Sequence, residues 1–235
     1  MNGFWPDMKA KRSHLWGVFM LLVGVLILKV NAAIVLNYRN YLPPNFNSDF
    51  LRGREDYFFG SYQWAFWGHI SSGPVSLVLG LLLVSTSFRV RFPGWHRRLG
   101  RLQAVNVLCL LVPSGLWMAF YAASGPIAGA SFGMLSVATG ICMAMGWRTA
   151  VQRKFAQHRR WMLRTFTLLC SAVVLRLVAG TATVFEYGPD WFDPLAAWGC
   201  WLVPLLLLEW QLGRKKRTAS LPLNHSPPIR EQLLG

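Results

Sequence analysis

Six apolar runs, at about residues 14–36, 61–86, 97–122, 127–149, 159–183 and 194–212, limit what this chain can fold into. Each approaches or exceeds the ~20 residues that carry a helix across the hydrocarbon of a bilayer. Inside that solvent every backbone polar group must be satisfied within the protein, so the runs read as membrane helices. The chain is 54% hydrophobic and only 14% charged, whereas a soluble domain carries about 25% charged residues. A soluble enzyme, a disordered chain and a disulfide scaffold are excluded. The sequence predicts an all-α polytopic membrane protein.

Residues 1–13 read as a basic N-terminal tail, 14–212 as the six-helix membrane domain, and 213–235 as a polar tail that opens Gly-Arg-Lys-Lys-Arg and continues as disorder. Lys9, Lys11 and Arg12 ahead of the first run look like the start of a signal peptide. The run outlasts the ~7–15 apolar residues of such a peptide, and no small-residue cleavage site follows, so it is expected to stay as the first span.

The net charge of +15 would suggest nucleic acid in a soluble chain. Here the cations flank apolar runs, where lipid phosphates are the natural anions, and nucleic acid is not a predicted partner. Of the 24 Lys and Arg residues, 19 lie in the two tails and in the connections 87–101 and 148–164, all on one side of a six-span chain. The positive-inside rule then gives N-in, C-in topology, with both termini in the cytoplasm. Asp49, Glu55, Asp56, Glu186, Asp190 and Asp193 fall on the other side, with a long aromatic outer loop, 37–60.

His96-Arg97-Arg98-Leu99-Gly100-Arg101 opens the third span and His158-Arg159-Arg160-Trp161-Met162-Leu163-Arg164 the fifth, 62 residues later. Spans 2–3 and 4–5 therefore read as two copies of one hairpin that together form a four-helix core. Helical phase puts Gln103, Ser114 and Tyr121 on the line of His96, and Tyr62, Gly73, Ser76 and Gly80 on that of His69. Because about 18 residues make five turns, Thr165, Ala172 and Arg176 share the line of His158. Small and polar residues beside each histidine point to a common interior.

Lys29, His69 and Arg176 are ionisable groups within spans, and each is a functional candidate by its cost there. All three sit roughly 10–12 Å below the outer surface. A cavity lined by His69, Arg176 and Lys29 suits an anion; snorkelling of Lys29 and Arg176 to the headgroups is the plainer reading. Pro74 removes the helical hydrogen bond to the Ile70 carbonyl, which leaves that oxygen free beside His69.

For His96 and His158 three readings stand. They are headgroup-level residues of basic clusters; or axial ligands of one b-type haem between spans 3 and 5; or, with the helix N-termini, a phosphate cradle. Cys109, Cys142, Cys170 and Cys200 lie in apolar runs without a CxxC pair and read as small core residues. Gly129-Ala130-Ser131-Phe132-Gly133 matches G-x-S-x-G but starts an apolar helix instead of joining a strand to one, so it reads as small-residue helix packing. Trp64, Trp95, Trp147, Trp161, Trp191 and Trp210 near span ends are expected interfacial anchors.

His69 with small residues after it, HRRLGR at 96–101, HRRWMLR at 158–164 and Leu175-Arg176 together resemble the bacterial predicted membrane proteins of domain of unknown function family 2306, over about residues 60–185. The resemblance implies a polytopic inner-membrane protein and no activity. A weaker likeness is to b-type cytochrome bundles with paired histidines on central helices; this chain differs in that its basic-side histidines open their helices. Three functions follow as alternatives. The first is haem-based electron transfer through His96 and His158. The second is a non-redox transporter or anion- or lipid-binding protein using His69, Arg176 and Lys29. The third is an accessory subunit without a site, held in a homo-oligomer or by a respiratory partner. Catalytic residues are not assigned.

Overall fold

In the computed structural model the chain is described for residues 4–48, 50–186 and 188–219, and it is helical in nearly every stretch between its loops. The helices are α1 (Phe4–Leu36), α2 (Glu55–Tyr57), α3 (Gln63–Val84), α4 (Thr86–Arg91), α5 (Pro93–Val105), α6 (Val112–Ala119), α7 (Gly125–Val151), α8 (Phe155–Leu169), α9 (Ser171–Val184) and α10 (Phe192–Ala219). Among the described residues six stretches are long and apolar enough to cross a membrane: Leu21–Asn40, Glu55–Val84, Pro93–Ala119, Gly125–Val151, Phe155–Val184 and Phe192–Arg214. Each predicted span has its counterpart. The helices run past the apolar runs at both ends of the chain, since a helix needs backbone bonds and not apolarity to continue: α1 begins at Phe4 within the expected tail, and α10 continues to Ala219. The remainder of the expected C-terminal tail, 220–235, lies outside the described residues.

The third span is one rod with a change of winding. A π-helical segment, Asn106–Leu111, joins α5 to α6, and the Val112 amide reaches back five residues to the Val107 carbonyl. Pro113 follows and has no N–H to offer the turn before it. The fifth span breaks at Cys170, whose carbonyl accepts from the amides of both Val173 and Val174. That break undoes the expected phase. Thr165 is buried on the line of His158, but beyond Cys170 it is Ser171 and Val173 that face inward, while Ala172 and Arg176 are exposed.

The core is a ring of four rods. α3 packs against the α5–α6 rod on one side and α8 on the other, and α7 closes the ring against α6 and α8. Thus α3 and α7 stand on one diagonal, and α5 and α8 on the other. α1 lies outside the ring against α3 and α9, and α10 against α7, α8 and α9. Outward faces are apolar, as on Leu21, Leu22 and Val25 of α1 and Leu206 and Leu207 of α10. Such surfaces gain nothing by leaving lipid, so the helices are held by close packing and interhelical hydrogen bonds. Gly129 shows the first: a Cβ there would lie 2.6 Å from the Ala119 carbonyl oxygen, so α6 and α7 meet backbone to side. Ser131 shows the second: its hydroxyl donates to the Ala197 carbonyl at 2.8 Å and accepts from Trp201 Nε1 at 3.0 Å. The G-x-S-x-G serine is a buried strut between α7 and α10.

With six spans, both ends of the chain and the connections 87–101 and 148–164 share one end of the bundle, the basic end. The loop 37–62 covers the opposite end, the cap. There Tyr41, Leu51, Phe58, Tyr62 and Phe66 form a buried cluster flanked by Phe46, Phe50, Tyr57 and Tyr121.

Candidate functional site

The interior of the four-rod ring is polar along one seam. On α3, His69, Ser72 and Ser76 follow at helical spacing. Pro74 strips the Ile70 carbonyl of its partner, and Tyr38, in the 3₁₀ turn after α1, donates its hydroxyl to that oxygen at 2.5 Å. The freed carbonyl therefore ties α1 to α3. Arg176 lies within electrostatic reach of the same phenol.

The His69 ring faces α6. Its Nδ1 is 3.4 Å from the Ser114 hydroxyl, whose single proton goes to the Leu110 carbonyl at 2.6 Å, leaving a lone pair for an Nδ1–H. Gly115 makes the room: a Cβ there would lie 2.8 Å from Ser136 Oγ of α7 and 3.3 Å from His69 Cε1. The imidazole is wedged between α6 and α7. Lower in the seam, Asn106 Nδ2 donates to the Ser72 carbonyl at 3.1 Å and to Ser76 Oγ at 2.8 Å, and Gln103 Nε2 donates to the Ser76 carbonyl at 3.0 Å. Gln103 is 1% exposed, and its Oε1 has no partner.

The expected cavity residues are not gathered into one contact. His69 joins Ser114, Arg176 is exposed on α9 within electrostatic reach of Tyr38, and Lys29 is exposed on α1 without a hydrogen bond or ion pair among the described residues.

At the basic end the two histidines hold equivalent places. His96 is the fourth residue of α5 and His158 the fourth of α8, and each backbone amide donates to the residue just before its helix, at 3.0 and 2.9 Å. The arginines beside them, Arg97, Arg98, Arg159 and Arg160, are exposed, whereas both imidazoles are half-buried. His158 Nδ1 donates to the Gly146 carbonyl at 2.8 Å, which directs Nε2 away from α7. His96 Nδ1 is buried without a partner. His158 and Arg89 both lie within electrostatic reach of the His96 ring. Among the described residues no three His, Cys, Asp or Glu side chains form a metal-binding group.

Three charged groups escaped the sequence reading. Arg164 of α8 and Glu209 of α10 form a two-pronged ion pair, Nε to Oε1 at 2.5 Å and Nη2 to Oε2 at 2.9 Å, with the guanidinium over Trp161. An acid inside the sixth span was the available signal, since such a group needs a partner at its own depth. Arg54, counted only as a loop cation, is buried in the aromatic cap.

Fold and interior together define a multi-pass α-helical membrane protein with a polar bundle core. The family model described as predicted membrane protein (DUF2306) matches residues 66–212, most of the chain, and the chain belongs to that family. No curated protein and no solved structure matches it.

Proposed function

We propose that this protein is a b-type haem-binding membrane protein for electron transfer, with His96 and His158 as the axial pair at the basic end of the bundle. The observation that carries the reading is that His96, half-buried and within electrostatic reach of the half-buried His158, keeps a buried ring nitrogen without a partner. A ligating histidine ordinarily has its other nitrogen held by a carbonyl, which fixes ring and tautomer; His158 has that arrangement through Gly146. Arg89 is the neighbouring cation for a propionate. Bound haem would supply a one-electron couple; the chain supplies position, charge and exclusion of water. Inner-membrane residence with both termini in the cytoplasm belongs to the same proposal and rests on the charge asymmetry.

The test is an absorbance spectrum of protein purified in mild detergent from haem-sufficient cells, oxidised and dithionite-reduced. A stoichiometric Soret peak with a sharp reduced α-band, lost in H96A and H158A, is expected. A flat visible spectrum from folded protein overturns the assignment.

A second reading, non-redox binding of a small anion or lipid in the outer half, is favoured by Arg176, an exposed cation within electrostatic reach of the Tyr38 hydroxyl. It predicts ligand-dependent thermal stabilisation that R176Q abolishes.

A further inference from the structure

Arg54 is 7% exposed within the aromatic cap. Its backbone is pinned on both sides, the amide donating to the Leu51 carbonyl at 3.1 Å and the carbonyl accepting from the Phe58 amide at 2.9 Å. Its guanidinium has five N–H donors. One of them, on Nε, goes to the Tyr62 hydroxyl at 3.2 Å, and the Cζ atom lies over the Phe50 ring, 4.7 Å from its centroid.

No carboxylate among the described residues pairs with it; Glu55 and Asp56, its neighbours in sequence, are exposed and turned to solvent. Among the described residues neither amino nitrogen of Arg54 makes a hydrogen bond, since Nε alone is engaged. A cation taken this far out of water costs several kcal/mol unless an anion and further hydrogen bonds compensate it. A phenol and a ring face compensate in part. The same loop holds a second unfilled group, the buried Ser48 hydroxyl.

We propose that Arg54 anchors a binding site for an oxyanion, a phosphate or carboxylate group, at the cap end of the bundle. The planar fork of the guanidinium, held by Tyr62 and Phe50, offers its two amino groups in the geometry that such an anion takes bidentately. Phe59 and Trp64, both strongly exposed at the same end of the bundle, would be available to an apolar chain attached to that anion. The oxyanion is then either a lipid headgroup or a free solute. This site is separate from the His96–His158 pair and does not depend on haem.

The test uses the full chain in phosphatidylcholine nanodiscs. Thermal stability is followed against inorganic phosphate, with sodium chloride at matched ionic strength as reference, and separately in discs containing phosphatidylglycerol. A saturable rise with phosphate identifies a free oxyanion; a rise confined to phosphatidylglycerol discs identifies a headgroup. R54Q is expected to lose the rise, and R54K, which keeps the charge without the fork, to need at least tenfold more of the anion. If R54Q does not fold, R54K decides. A wild-type protein that responds to neither probe, or an Arg54 variant that titrates like wild type, overturns the proposal.

Discussion

The Tyr38 hydroxyl donates to the carbonyl of Ile70, the one backbone oxygen of α3 that Pro74 leaves without its helical partner. A proline in a helix and a tyrosine 36 residues before it thus make one joint between α1 and the four-rod core. Replacing Tyr38 by Phe strands that carbonyl at a cost of about 1–3 kcal/mol, read as a lower unfolding midpoint in detergent. Pro74→Ala restores an N–H to the helix, so the Tyr38→Phe loss should shrink in the double variant by at least about 0.5 kcal/mol. Equal losses in both backgrounds would show that the oxygen is not the shared element.

Gly129 and Gly133 lie four residues apart on α7, and the space around them differs. A Cβ at Gly129 would meet a backbone carbonyl at 2.6 Å, but one at Gly133 would lie 3.9 Å from the Ala119 Cβ, an ordinary contact. Gly129→Ala should therefore destabilise by about 1–3 kcal/mol as overpacking, and Gly133→Ala should be close to neutral. The comparison needs only two melting curves.

Arg164 and Glu209 hold α10 to the ring. Neutralising either alone takes a two-pronged partner from the other within a span, and since both side chains are partly exposed the loss should be about 1–3 kcal/mol. The exchange R164E/E209R should recover part of it. Limited proteolysis gives a second readout, since the sixth span should become susceptible first in the single variants.

Asn106 makes two bonds across the seam to α3. Interhelical bonds in membranes average about 0.6 kcal/mol, so Asn106→Leu should cost about 1 kcal/mol of stability. On the haem proposal it should leave the Soret band in place, because Asn106 is ten residues along the rod from His96.

The six spans were legible because apolar runs of that length have one reading in a chain so poor in charge. The inward faces of the second and third spans were legible too: Tyr62, Ser76 and Gly80 are buried as the line of His69 predicts, and Gln103 as that of His96 predicts, while Ser114 is buried beyond a π-turn that shifts the line. Phase failed beyond Cys170, because a periodicity argument assumes one unbroken helix and the break at that residue turned Arg176 outward. The Arg164–Glu209 pair was not legible, since nothing in sequence spacing relates residues 45 apart on helices that happen to pack. For the same reason Tyr38 could not be matched to the carbonyl that Pro74 was expected to expose. The equivalent places of His96 and His158 at two helix starts were readable; the carbonyl that orients His158 was not.

The π-helical turn between Asn106 and Leu111 behaves as one residue inserted into an otherwise α-helical rod. Each α-helical residue advances the chain by about 100°, and the wide turn takes up that extra step. Ser114 therefore reaches His69, and Gly115 its place against α7, one residue later in the chain than an unbroken α-helix from His96 would bring them. The two ends of this bundle are geared to each other through a single turn of winding, in which one residue of length is absorbed without turning either end.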